Sequence, residues 1–155
     1  MMLVDANLLI YAVNQDLPQH SAARDWWETS LSGAESVGIP WVSLLAFLRI
    51  CTNRRVFDTP LSVDAAIGYV DEWLRQPVVQ AVAPGPGHWS VLANLLSRSG
   101  MAGNLSTDAH IAALALEHGY TVYSADNDFK RFAGVRQVNP LVDSTADPGH
   151  PTLSN

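Results

Sequence analysis

The sequence predicts an α/β fold in which a central parallel sheet of four to five strands is flanked by helices. Two observations lead to this prediction. Short apolar runs alternate along the chain with longer amphipathic segments, as expected when each strand is followed by a crossover helix. Aspartates also follow two of the apolar runs directly, at the carboxyl ends of predicted strands, where ligands bind in such sheets.

The predicted strands are short apolar runs, beginning with MMLV at the start of the sequence. One of them, VGIP, is either a connector or a strand of two to three residues. In chain order, the strands are expected at residues 1–4, 37–40, 78–82, 120–124 and 135–138.

The predicted helices carry apolar residues at helical spacing. Ser62 is suited to begin one helix as its N-cap, and Gly33, Gly100 and Gly119 are suited to end three others. Residues 101–105 are expected to form a loop, and residues 127–133 a turn or short helix. In chain order, the helices are expected at residues 6–14, 19–33, 41–53, 62–76, 86–100 and 106–119.

The length and composition predict one globular domain. The chain has 155 residues, of which 48% are hydrophobic, and this is enough for a buried core. We expect residues 1–141 to form that domain, and residues 142–155, which are polar and contain proline and glycine, to form a flexible tail. Neither a secretory signal nor an apolar stretch long enough for a membrane helix is found, so we expect no membrane association and a cytoplasmic location.

The charge argues against a protein held to nucleic acid by overall positive charge. Nine basic residues against fifteen acidic ones give a net charge of −6, although eight of the nine are arginine, the better phosphate ligand. Cys51, the only cysteine, cannot form an internal disulfide, and its apolar surroundings indicate a core position.

Histidine and tryptophan are not predicted to carry the chemistry. The histidines are scattered without metal-ligand spacing, so zinc is not expected. The tryptophans are expected mostly in the core, but Trp26 and Trp27 are adjacent and cannot both be buried on one face of a helix. One of them is therefore expected to contribute to a protein contact.

Three aspartates are predicted to meet at one edge of the sheet. Asp5 and Asp126 follow strands whose carboxyl ends share an edge, and Asp108 lies in the first turn of a helix. Asp108 could equally serve only to stabilise its helix, and Asp126 and Asp128 could be turn residues. If the three carboxylates meet, their repulsion requires a cation, and an oxygen-only site suits Mg²⁺ or Mn²⁺.

The segments LVDANLLIYA, STDAHIAALALEHG and VYSADNDFKRF, in this order, resemble the three acidic motifs of PIN-domain nucleases. More narrowly, the chain resembles the VapC-type toxins of bacterial toxin–antitoxin pairs. The resemblance implies a PIN-like three-layer fold, a Mg²⁺-dependent endoribonuclease acting on RNA, a VapB-type antitoxin as partner, and a homodimer.

The resemblance also implies roles for individual residues. Asp5, Asp108 and Asp126 match the metal-binding aspartates, and Asp128 matches a further acid that would orient the water or a second metal ion. Asn7 and Ser124 match polar positions that support these acids. The sequence differs from the family pattern at one position. The family usually has an acidic residue in the helix that matches residues 41–53, and the matching position here is Ala46. Asp128 or water would then complete the site, or the chain is an inactive relative.

Basic residues near these motifs are expected to guide RNA, although each could equally be a solvated surface charge. They are Arg49, Arg54, Arg55, Lys130 and Arg131.

Two alternatives to the nuclease stay open. One is a phosphohydrolase that uses a strand-end aspartate, but Asp5 lacks the second aspartate two residues on that the haloacid-dehalogenase-like group has. The other is a binding module derived from a nuclease that lost its activity.

Overall fold

A computed structural model describes residues 1–100 and 103–142, and it contains a five-stranded sheet in which all strands are parallel. The strands are β1 (Met2–Val4), β2 (Val37–Pro40), β3 (Val79–Val82), β4 (Thr121–Tyr123) and β5 (Gln137–Val138). The helices are α1 (Ala6–Val13), α2 (His20–Ser32), α3 (Trp41–Cys51), α4 (Val63–Arg75), α5 (His88–Ser99) and α6 (Ser106–His118). Short 3₁₀ turns cover Gly103–Leu105 and Asn127–Arg131.

The strand order β3-β2-β1-β4-β5 places β1 in the centre of the sheet. The chain first builds the sheet outward on one side of β1, through β2 and β3, and then returns to add β4 and β5 on the other side. The sheet therefore has a switch point between the carboxyl ends of β1 and β4. In open parallel sheets this is the place where ligands bind.

Helices cover both faces of the sheet, and alternate residues of β1 point to opposite faces. Met2 and Val4 belong to a buried cluster with side chains of α1 to α4, whereas Leu3 belongs to a second cluster with α5 and α6. This alternation follows from the two-residue period of a strand. The core therefore has two halves, which confirms the predicted three-layer arrangement.

Several predicted helix boundaries rest on specific caps. The Ser62 hydroxyl accepts a hydrogen bond from the Ala65 amide at 3.1 Å, as expected of an N-cap. Gly119 follows α6 with a φ of +70°, a conformation that glycine adopts without strain. VGIP is a fully buried strand rather than a connector.

Two tryptophans lie outside the core, contrary to the general expectation. Trp27 and Trp73 are buried, but Trp41 is 52% exposed and Trp89 is 71% exposed. Trp26, one candidate for a protein contact, is half-buried and stacks on Tyr123, with ring centroids 5.9 Å apart. A tryptophan's size and apolarity predict burial only on average, because the decisive fact is which helix face it occupies.

The described residues contain no helix with the length and apolarity needed to span a membrane. Of the predicted loop at residues 101–105, the first two residues lie outside the described part. So does nearly all of the predicted tail, and the proposed domain boundary at residue 141 stays a prediction.

Candidate active site

Three carboxylates form a compact group beside the carboxyl end of β4. Asp108 comes from the first turn of α6, and Asp126 and Asp128 come from the turn that follows β4. One oxygen of each can be chosen so that all three lie within 4.8 Å of one another. The Asp126 side chain also accepts a hydrogen bond from the Asp128 amide at 2.9 Å, which fixes the start of the turn.

Asp5 lies next to this group and is held by its own contacts. It caps α1, where one carboxylate oxygen accepts a hydrogen bond from the Ala6 amide at 2.7 Å. The other oxygen accepts a hydrogen bond from the Ser124 hydroxyl at 2.8 Å. The Asp5 amide donates to the Tyr123 carbonyl at 3.0 Å, so Asp5 continues the pairing of β1 with β4. Its position is therefore set by the sheet itself.

The buried Ser124 hydroxyl connects the two motifs. It donates its proton to Asp5 and accepts hydrogen bonds from the Asn7 amide group and the Asp126 backbone amide, both at 3.0 Å. The Asn7 carbonyl oxygen in turn accepts from the Ala125 amide at 3.3 Å. A hydroxyl offers one donor and two acceptor sites, so Ser124 uses its full capacity. The start of α1 is thereby tied to the segment that carries Asp126.

The electrostatics of the site disfavour a cluster of free carboxylates. Burial, together with the charges of Asp5, Asp126 and Asp128, raises the pKa of Asp108 to about 6. Burial also raises the pKa of Asp5, against the effect of its hydrogen bonds from Ser124 and Ala6. Each negative charge makes ionisation of the next carboxyl harder. A bound cation would reverse this effect.

The donor set fits a hard divalent cation. All candidate ligands are carboxylate oxygens, which Mg²⁺ and Mn²⁺ prefer, and the described residues contain no comparable group that includes histidine or cysteine. The close group contains Asp128 in addition to Asp108 and Asp126, while the oxygens of Asp5 are engaged by Ala6 and Ser124. The assignment of individual ligands stays a prediction.

Gln137 is a site residue that the sequence analysis missed. It lies on β5, and its amide nitrogen donates to the backbone carbonyls of Ser124 and Asp126. It therefore supports the segment between these residues from the neighbouring strand. In the sequence, Gln137 is only a polar residue within a short predicted strand. The sequence does not show that this strand pairs with β4, so it does not place Gln137 at the site.

Two of the histidines, His88 and His110, lie in contact although they are far apart in the sequence. His88, at the start of α5, lies 2.6 Å from the Glu117 carboxylate through Nδ1 and 2.8 Å from His110 Nδ1 through Nε2. His88 and Glu117 are nearly buried, so this chain of contacts joins α5 to α6. Burial and the neighbouring His88 lower the pKa of His110, while Glu117 acts in the opposite direction.

The predicted RNA-guiding residues fall into two groups. Lys130 and Arg131 lie in the turn beside the acids, and the Arg131 guanidinium is 3.5 Å from the Asp128 carboxylate. Arg49 lies in the last turn of α3, and Arg54 and Arg55 follow that helix. Since α3 starts directly after β2 and leads away from the carboxyl edge, the second group lies at the far end of the helix. Its contact with RNA stays a prediction.

The comparison with known families identifies the chain. The model of the PIN domain matches residues 2–135, which include all four aspartates of the site. The chain belongs to the PIN-domain family. Helix α3 contains no acidic residue, and the match of Ala46 to the acidic position of the family stays a prediction.

Curated relatives of this PIN domain are named as ribonucleases. The chain is 41% identical to ribonuclease VapC33 of Mycobacterium tuberculosis over 141 residues, which cover 91% of the chain and 99% of the relative. It is 46% identical to ribonuclease VapC37 of the same organism over 140 residues, which cover 90% and 97%.

Solved structures share the fold at lower sequence identity. The toxin VapC20 of Mycobacterium tuberculosis, described as cleaving the sarcin–ricin loop, aligns with a TM-score of 0.65 at 20% identity, covering 88% of this chain and 99% of that one. VapBC2 of Rickettsia felis, bound to DNA from its promoter, aligns with a TM-score of 0.65 at 15% identity, covering 89% and 97%. These likenesses confirm the PIN-like α/β fold.

Proposed function

We propose that this PIN domain is a Mg²⁺-dependent endoribonuclease that hydrolyses RNA phosphodiester bonds and acts as the toxin of a VapBC-type toxin–antitoxin pair. The observation that carries the proposal is the group of carboxylates at the switch point of the sheet, in a chain closely related to named ribonucleases. Mn²⁺ is expected to substitute for Mg²⁺, since both accept oxygen ligands.

In this proposal Asp5, Asp108 and Asp126 hold the cation, and Asp128 holds it or orients the attacking water. A divalent cation bound there supplies Lewis acidity, which makes water a better nucleophile and stabilises charge on the phosphoryl oxygens. Ser124 and Asn7 keep Asp5 and Asp126 in place before substrate arrives.

The covalent step is a hydrolysis. The water gives up a proton as its oxygen forms a bond to phosphorus, the bond from phosphorus to one ribose oxygen breaks, and the leaving oxygen takes up a proton. Lys130 and Arg131 lie beside the acids and are the nearest basic residues of the predicted set for the RNA backbone.

A cleavage assay on bacterial RNA tests the activity. We expect cleavage with Mg²⁺ or Mn²⁺, loss of cleavage with a chelator, and loss of at least two orders of magnitude in Asp126→Asn. Asp71→Asn, an exposed aspartate on α4, is the matched control and should cleave like the parent chain. Release of phosphate from small monoesters would instead support a phosphohydrolase, and partner binding without turnover would support a binding module.

The biological role has its own test. We propose that the toxin acts in the cytoplasm, forms a homodimer and is inhibited by a VapB-type antitoxin, a partner suggested by structural neighbours that are VapBC complexes. Expression in a bacterium should arrest growth, and co-expression of the neighbouring reading frame should relieve the arrest. Harmless expression of an active nuclease would contradict the toxin role, and light scattering on the purified chain measures the homodimer.

A further inference from the structure

A cavity of about 470 Å³ lies between α5 and the segment that follows Asp128. One wall is the polar edge of α5, formed by Ser90, Asn94 and Arg98, which recur every four residues and so share a face of the helix. The opposite wall carries Arg131 and Phe132. The size falls within the range of sites that hold one small ligand or one unit of a polymer.

The cavity begins beside the acidic group. Arg131, which lines it, is 3.5 Å from Asp128, and Asp128 belongs to the group of three carboxylates. Arg131 thus links the cavity to the acidic group, so a polymer whose reacting bond lies at the acids has the cavity as a neighbouring site.

The cavity is lined by two arginines in a chain that has few basic residues. Only nine basic residues occur in a protein with net charge −6, yet two of them, from different elements, line one cavity. Among the described residues Arg98 is exposed and forms no ion pair. Arg98 and Arg131 both line this space, Arg131 also lies 3.5 Å from Asp128, and arginine binds phosphate through paired hydrogen bonds.

The remaining lining suits the other parts of a nucleotide. Val91, Leu95 and Leu116 provide an apolar surface for a base or a ribose, and Asn94 and Ser90 provide hydrogen-bonding groups at the edge. Proteins that bind single-stranded nucleic acid combine positive charge along the backbone with aromatic side chains under the bases. Here arginines provide the charge, and the apolar surface is mainly aliphatic.

We propose that this cavity binds a nucleotide of single-stranded RNA that flanks the cleaved bond, with Arg98 and Arg131 contacting its phosphate. The inference deepens the proposed nuclease function and rests on it. The proposal adds Arg98 to the residues predicted to guide RNA. The sequence did not indicate Arg98, because it lies in none of the acidic motifs and in no cluster of basic residues.

The test compares Arg98→Ala with Arg75→Ala. Arg75 is a closely matched control, because both arginines are exposed and lie in the last turn of a helix, where each stabilises the helix end. The substrate is an RNA oligonucleotide that spans a cleavage site mapped with the parent enzyme. We expect Arg98→Ala to raise KM by about tenfold with little change in kcat, which is the mark of lost substrate binding.

Two further measurements separate binding from folding. The dependence of RNA affinity on salt should fall by about 0.7 in logarithmic slope in Arg98→Ala, which corresponds to one lost phosphate contact with a single strand. Arg98→Lys should keep the salt slope of the parent, because the charge stays, but should lose part of the affinity, because lysine does not form paired hydrogen bonds with phosphate. All variants should melt like the parent. The proposal is overturned if Arg98→Ala matches Arg75→Ala in KM and salt slope, or if its defect only follows a lower melting temperature.

The outcomes also distinguish a failure of the nucleotide site from a failure of the proposed nuclease function. If the parent chain cleaves RNA but Arg98→Ala is unaffected, the proposed function stands and the nucleotide site fails. If the parent chain neither cleaves nor binds RNA, both fail. If Arg98→Ala weakens binding of a protein partner and leaves RNA cleavage unchanged, the cavity is a protein contact and the nucleotide site is overturned.

Discussion

At the residue scale, one hydroxyl holds together side chains that are far apart in sequence. Ser124 contacts Asp5, 119 positions away, and Asn7, 117 positions away, as well as the backbone amide of Asp126. The sequence indicated Asp5 and Asp126 because each follows an apolar run that reads as a strand. It could not indicate Gln137 or the contact of His88 with Glu117, because these depend on which strands and helices become neighbours.

Replacement of Ser124 by alanine tests this hydroxyl. Asp5 would lose a donor and Asn7 an acceptor inside a buried site, so we expect metal affinity or cleavage rate to fall by about 10- to 100-fold. Ser21→Ala, at an exposed position of α2, is the control. Equal metal titrations and cleavage rates for the two variants would show that Ser124 does not support the acids.

The raised pKa of Asp108 predicts a pH effect on the metal-free protein. The folded-state pKa of about 6 lies above the ordinary 3.8, so the ionised side chain destabilises the fold above pH 6, and this penalty disappears as the pH falls to 3.8. Asp108→Asn should therefore be more stable than the parent chain near pH 7.5, by about 1 kcal/mol after allowing for its partial exposure.

Urea unfolding in the presence of a chelator measures this difference, with Asp71→Asn as control. The increase in the free energy of unfolding caused by Asp108→Asn should become smaller as the pH is lowered from 6 towards 3.8. A gain that is constant with pH would point to a different cause, such as helix propensity.

At the scale of elements, most strands and helices follow from the sequence, but close packing between them does not. VGIP is too short to be read with certainty as a strand, yet β2 lies between β1 and β3. Its position depends on Gly38, where an added Cβ would lie 2.8 Å from the Val82 side chain and 3.3 Å from that of Leu3. The sequence shows a glycine within a short apolar run, but it does not show which side chains of the neighbouring strands pack against that glycine.

Gly38→Ala is predicted to destabilise the fold by about 1–3 kcal/mol, because the buried Val82 is β-branched and has little freedom to move. Gly68→Ala is the matched control: no atom lies within 4 Å of its added Cβ, and alanine favours the helix by up to about 1 kcal/mol. Denaturant unfolding of both variants gives the comparison. If Gly38→Ala is as stable as the parent, the sheet accommodates the methyl group and the argument from close packing is wrong.

At the scale of the whole molecule, an acidic protein must bind an acidic polymer. The net charge of −6 opposes RNA, and a site built from carboxylates adds to the repulsion. In the proposed function, a bound cation and the local arginines provide the attraction. The bulk composition argues against a protein held to nucleic acid by overall positive charge, but it does not show where the few arginines lie in the fold.

Metal binding is accordingly predicted to stabilise the whole fold. With free Mg²⁺ at 100 times its dissociation constant, the free energy of unfolding should rise by about 2.7 kcal/mol. Thermal unfolding with and without Mg²⁺ measures the effect. Asp126→Asn should lose most of the increase and Asp71→Asn should keep it; the same increase in both variants would place the cation elsewhere.

The central position of β1 has a consequence for how this enzyme is made. Asp5 leaves the ribosome more than a hundred residues before Ser124 and Asp126, which lie next to it where β1 pairs with β4. A chain still being translated before residue 121 has no β4 and cannot assemble the acids. The group of carboxylates can therefore form only after synthesis has passed Asp128, so shorter nascent chains should have no nuclease activity.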